Sequence, residues 1–492
     1  MTKTNAHQSL DLRAMARRAM IENGFEPDMP PEVEHELQAS GSEEPTAPDD
    51  PGVRDMRSVL WSSIDNHDSR DLDQVEFAER MPNGDIRLMI GIADVDAFVH
   101  KGSAIDRHAL HNTTSIYTGV RTFPMLPEQL SNHITSLLED VERLSVVIEL
   151  VVDAEGEVTS TEVYRARVRN HAKLVYERIG AWLEGHTPVP PEVSKVAGLE
   201  EQLRLQDEAT ERLRALRKRN GALNLQTIEA KAVAVDGRVV DLVASEHNRA
   251  RDIIESFMVA ANTEMAQFLE AEGLPSIRRV VRTPERWPRI VEIARGFGDN
   301  LPEEPDSRAL AAFLTRRRAA DPVHFPDLSL SIVKLMGPGE YVVEGAGAEG
   351  DGHFGLAVHD YTHSTAPNRR YPDLITQRLL KAVIARRPAP YTQAELREIA
   401  EHCTEREDAA RKVERLMRKA SAAVLLGERI GETFDAIVTG VSNKGTFVRL
   451  IAPPAEGRVM RGEEGMDVGD KVRVKLLSTE PERGFIDFAR AR

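Results

Sequence analysis

The chain has 492 residues, 41% of them hydrophobic and 29% charged, and a formal net charge of −16. That is length for about two to four domains with an ordinary core, no apolar run approaches the roughly 18 residues needed to cross a bilayer, and the N-terminus lacks the apolar core and cleavage site of a secretory signal. A single cysteine, Cys403, excludes an internal disulfide and a multi-cysteine zinc site, while the acidic balance argues against a protein that coats nucleic acid.

Residues 9–23 read as a short helix, with Ser9 as its cap and Gly24 just past its end. Residues 24–56 are rich in Pro, Glu and Asp and read as a linker holding one short helix at PPEVEHELQ, residues 30–38. Residues 85–99 and 144–153 have the short apolar runs of buried strands, and Asn83-Gly84 reads as a hairpin turn. Residues 193–219, 248–271, 372–387 and 393–426 are helical in period. Residues 427–492 change character again, to about five short strands with glycine-marked turns, the pattern of an OB-type barrel. The expected fold class is α+β. A helical segment and acidic linker occupy 1–54, a mixed α and β unit 55–426, and a five-stranded barrel 427–492. No internal repeat is present.

Four carboxylates, Asp65, Asp68, Asp71 and Asp73, fall within nine positions. If Asp71 and Asp73 lie on extended chain they face the same way. Like charges so close repel, and a hard divalent cation with oxygen ligands relieves them; magnesium uses a few carboxylates plus substrate phosphate, and two-metal phosphodiester hydrolysis needs such a cluster. The plain alternative is an acidic surface loop. An EF-hand is a poor match, because neither its turn glycine nor its closing glutamate is in place. A second polar cluster runs from Tyr361 to Asp373, and includes Arg369 and Arg370 beside Tyr371. Arginines beside tyrosines suit phosphate and base contacts; a structural ion-pair corner is the alternative. Further basic runs, at Arg165 to Lys173, Arg278 to Arg282 and Arg316 to Arg318, read as solvated faces.

Taken together, IDNHDSRDLD, RLMIGIADVDAFVHKGSAID, TSIYTGVRTFPMLPEQLSNHITSL, KLVYERI, RNGALNL, IIESFMVAAN and HFGLAVHDYTHSTAPNRRYPDLITQRLL resemble, in order and spacing, the ribonuclease II/R family of exoribonucleases. The resemblance covers roughly residues 55 to 492, and the C-terminal barrel is similar to the family's S1-type RNA-binding domain. It implies processive, magnesium-dependent hydrolysis of single-stranded RNA from the 3′ end, with release of nucleoside 5′-monophosphates. By the same resemblance Asp65, Asp71 and Asp73 hold metal. Asp73, Asp71 and Arg369 carry the chemistry, Asp73 above all, with Arg369 on the scissile phosphate. Tyr117 grips the terminal nucleotides, and Tyr176, Glu255, Glu414 and Arg370 are further RNA contacts. In the barrel, Phe447 and Lys444 are candidates for a base platform and a phosphate contact. A monomer in the cytoplasm is the family default.

Three departures stand out. Where the family motif ends in two adjacent aspartates, Asp73 is followed here by Gln74, a neutral and weaker oxygen ligand. Leu225 stands where the family has a base-sandwiching aromatic. About 55 residues precede the catalytic unit, too few for the family's usual pair of cold-shock domains. Gln74 keeps open a second reading, a weak or inactive member that captures RNA ends; a DNA exonuclease with the same metal chemistry is a third.

Overall fold

A computed structural model describes residues 11–39, 52–227, 230–235, 238–244, 247–345, 347, 350, 352–442 and 445–491. The first helix, Leu12–Glu22, is capped by Asp11, whose carboxylate accepts the Arg13 and Ala14 amides at 3.0 Å. Ser9, the expected cap, lies outside the described residues. A second short helix, Pro31–Ala39, forms where the linker was expected to hold one. The first helix lies against the body. Its Leu12, Met15, Ala16, Ala19 and Met20 pack on Ile116, Val120 and Phe123 and on Met417 of the longest helix.

The body is built on a six-stranded mixed sheet in the order Val53–Asp55, Val158–Val175, Trp61–Asp65, Gln74–Arg80, Ile86–Ala93, Glu142–Val152. The long strand Val158–Val175 runs antiparallel to Glu142–Val152 along its first part, then pairs with Trp61–Asp65 from Asn170 on, so the sheet curls back on itself. Strand Ile86–Ala93 is buried at seven of its eight positions, which is why it reads as a continuous apolar run and not as an alternation. Gly91 on that strand is required by space, since a Cβ there would sit 2.9 Å from the Ser145 hydroxyl and 3.0 Å from Val75.

Helix Leu199–Asn220 covers strand Gln74–Arg80, and Gln202 bonds both backbone groups of Ala78. Each fully buried Leu, Ile or Phe in this layer contributes about 1.5–3 kcal/mol. Helix Gln393–Gly427, opened by a Thr392–Glu395 capping box, is the spine: it touches the N-terminal helix, the body and the C-terminal barrel. The barrel closes as expected from five strands, in the order Thr433–Ser442, Gly445–Leu450, Glu456–Arg461, Phe485–Arg490, Lys471–Glu480. Its Arg449 makes a buried pair with Asp327 on helix Phe325–Met336, at 3.0 and 3.1 Å. Among the described residues no helix is long and apolar enough to cross a membrane.

Candidate active site

Strand Trp61–Asp65 ends on the first aspartate, and strand Gln74–Arg80 starts just after the last. The loop between them is pinned from below. The Ser136 hydroxyl accepts the Leu72 N–H at 2.9 Å and donates to the Arg70 carbonyl, while Lys173 donates to the Ser69 carbonyl. Ser136 is delivered by a single π-turn, Leu130–Ile134, whose next residue Thr135 donates to Asn368. One short segment therefore clamps the acidic loop and the arginine loop together.

Asp73 is 2% exposed. Its Oδ1 accepts the Asn368 N–H at 3.0 Å, from 295 positions along the chain. Its Oδ2 has no hydrogen-bond partner and lies 3.4 Å from Nε of Arg369. Burial pushes the Asp73 carboxyl up to about 7, against the pull of Arg369 and with a further push from Asp71. Asp65 is likewise raised by burial, in spite of the Ser69 hydroxyl and the Asn66 N–H that it accepts at 2.7 Å. Asp71 accepts the Tyr117 hydroxyl at 3.0 Å.

The second polar cluster folds into a loop leading to helix Tyr371–Ile384. Asp373 accepts both Arg370 donors, at 2.7 and 2.9 Å, and the Ala366 N–H at 2.8 Å. Arg370 is thus the ion-pair corner weighed as the alternative, and its donors hold the loop. Arg369 is left about half exposed, facing Asp73. The loop is tied to the segment carrying Tyr117, through Ser115 N–H to the Arg369 carbonyl at 3.0 Å and Tyr371 N–H to the Thr113 carbonyl at 2.8 Å.

Tyr117 shows a 43% exposed ring while its hydroxyl is engaged. Its own N–H donates to Glu414 at 3.1 Å, so Glu414 holds the tyrosine's backbone. Tyr176 opens helix Tyr176–Leu183, with the Arg251 guanidinium 4.4 Å above its ring. Leu225 and Glu255 line a different feature, a cavity of about 470 Å³ edged by Arg214, Arg217, His247 and Arg318. Leu225 is half-buried against the Phe325 cluster, and Glu255 is exposed. Phe447 is 38% exposed on its barrel strand; Lys444 lies outside the described residues.

The expectation of solvated basic faces fails at Arg278 and Arg279, which are buried. Arg279 forms a two-pronged pair with Glu407, and Arg278 lies between Glu270 and Glu344. A strand enclosed by helices sets this burial, and charge counting along the chain does not register it. The sequence reading also missed Asn368, whose contribution is a backbone N–H that no side-chain pattern encodes, and Glu76, buried close to Asp65.

All ligand atoms here are oxygens, and the unpartnered Asp73 Oδ2 is a donor suited to a hard cation. Among the described residues no three acidic or imidazole groups converge on one point. A cation would therefore take two carboxylates at a time and complete its shell with water and phosphate, as magnesium does.

The profile described as RNB domain matches residues 53–386, and that of the RNase II-type exonuclease C-terminal S1 domain matches 432–491. Ribonuclease R 1 of Lactococcus lactis is 31% identical over 468 residues, 89% of this chain and 56% of that protein. Ribonuclease R of Thermotoga maritima is 30% identical over 471 residues, 89% and 64% of the two chains. The chain thus spans between about half and two thirds of the length of these relatives. The fold is similar to that of Mycoplasma genitalium RNase R in complex with ribose-methylated single-stranded RNA, with a TM-score of 0.86 at 23% identity over 98% of this chain and 78% of that one. It is also similar to yeast Ssd1, a pseudonuclease, with a TM-score of 0.71 at 18% identity over 94% and 57%.

Proposed function

From the premise that the chain belongs to the RNB-domain family, we propose that it is a processive exoribonuclease that hydrolyses single-stranded RNA from 3′ to 5′ and releases nucleoside 5′-monophosphates with magnesium. The observation that carries this reading is the convergence of Asp71, Asp73, Tyr117 and Arg369 on one spot from three separate stretches of chain. We assign the chemistry to residues 55–426, the outer RNA grip to the barrel 427–492 and a supporting part to 1–54. The working form is a cytoplasmic monomer.

Asp65, Asp71 and Asp73 would hold the metal. When bound, magnesium supplies the charge that offsets the developing negative phosphate and the acidity of the attacking water. Arg369 donates charge-assisted hydrogen bonds to the same phosphate, and its half-exposed position lets it reach one. Tyr117 offers an open ring face for the last base while its hydroxyl stays on Asp71, so the group that grips the 3′ end is tied directly to the acidic loop. Tyr176 and Arg251 flank the same loop.

The second reading, an RNA-end binder without turnover, rests on Gln74. The assay that separates the two follows RNA labelled at its 5′ end, with magnesium and with a chelator. A magnesium-dependent ladder that shrinks to a short labelled oligomer supports the proposal. Tight binding without shortening favours the end binder, and immediate release of a labelled mononucleotide overturns the direction.

A further inference from the structure

Glu76 is fully buried on strand Gln74–Arg80, paired across the ladder with Ser62. Neither of its carboxyl oxygens has a hydrogen-bond partner, and the Ser62 hydroxyl has none either. A buried, unpartnered carboxylate is among the least tolerated groups in a protein interior unless a proton or a cation joins it. The Asp65 carboxylate lies near enough to raise Glu76 beyond the effect of burial, and the Tyr176 phenol responds to Asp65 and Glu76 alike. Three polar groups thus share one enclosed corner at the end of the acidic strand.

The strand period explains why Glu76 can reach it. Residues two apart on a strand project to one face, so Glu76 stands behind Gln74, one step inward from the strand end. A glutamate is one methylene longer than an aspartate, and the added length carries its carboxylate back toward that end. Gln74 occupies the place of an aspartate in the family motif, and its amide is neutral.

We propose that Glu76 is a metal ligand of this chain, supplying together with Asp65 the carboxylate that Gln74 lacks. This rests on the reading of the acidic loop as a metal site. With two carboxylates in place, water and phosphate fill the remaining positions, as magnesium prefers. The rival arrangement is a neutral acid held against Gln206, which sits on the covering helix, buried with both amide atoms unpartnered.

Manganese binding to the RNA-free full chain, followed by electron paramagnetic resonance of the free ion, decides between them. Asp65→Asn is the control for the site itself. Glu76→Gln keeps the shape and removes the charge. It should weaken manganese binding about 10- to 100-fold and raise the melting temperature of the metal-free protein, and Gln74→Asp added to Glu76→Gln should restore the lost affinity. Wild-type affinity in Glu76→Gln overturns the proposal and leaves the neutral acid. Should Glu76→Gln not fold, Gln74→Asp alone serves: little gain in affinity supports a site already complete, and a gain of about tenfold or more overturns it. If the wild type binds no manganese, or Asp65→Asn binds it equally well, the acidic site is misassigned as a whole, which is a different failure.

Discussion

Asp73 is the residue on which the chemistry turns, and its surroundings say what replacing it should do. It is buried, with one oxygen on the Asn368 N–H and the other left for a cation. Asp73→Asn keeps the shape, so packing and RNA binding should survive. Hydrolysis should fall at least about a hundredfold, equal to roughly 2.7 kcal/mol in the barrier. The folded-state carboxyl is raised, to about 7. In the metal-free protein its ionisation therefore works against folding, and stability falls as pH rises from the unfolded value toward 7. Asp73→Asn removes that penalty and should raise the metal-free melting temperature at neutral pH. Single-turnover decay and a filter-binding titration on one preparation check the first claim, and thermal melts the second; near-normal cleavage would show the centre to lie elsewhere. Asp65, Asp71 and Asp73 were legible because they crowd into one short stretch, where repulsion demands an explanation. Glu76 was not. Its strand alternates as Gln-Val-Glu-Phe, which reads as polar residues facing water, and only helix Leu199–Asn220 turns that face inward.

At the scale of elements, the helical periods and the five barrel strands were readable from sequence, but what each helix leans on was not. The N-terminal helix shows an apolar stripe, and nothing in that stripe names Ile116, Val120 and Phe123 as its partners. Because these residues flank Tyr117, the helix braces the segment that grips RNA. Met20 is 1% exposed within this contact. Met20→Ala should cost about 2–5 kcal/mol locally. Amide exchange should then quicken at residues 113–123 as well as in the helix. Faster exchange confined to the helix would mean that the Tyr117 segment stands unaided.

For the whole molecule, the acidic total concealed how its arginines are spent. Arg279, Arg370 and Arg449 are paired internally, so a count of basic residues overstates the positive charge offered to RNA. The grip of the barrel must then lean on stacking as well as on charge. Phe447→Ala should lose about 1–3 kcal/mol of RNA binding with turnover at saturating RNA unchanged, read from a binding titration beside multiple-turnover kinetics. A variant slowed at saturation would place Phe447 in the chemistry. Deleting the barrel is the poorer experiment, because Ala422, Ala423 and Leu426 of the long helix belong to the barrel core and would be laid bare.

The buried Asp327–Arg449 pair makes the barrel a collar bolted to its frame. Parting two buried charges costs about 3–5 kcal/mol, so the distance from collar to cutting point stays the same from one cycle to the next. The molecule is therefore a ruler. A strand long enough to reach both points is held twice and a shorter one only once, so the release rate should rise in a single step at one RNA length when a series of shortened substrates is timed. A smooth slope across that series would mean that the collar swings.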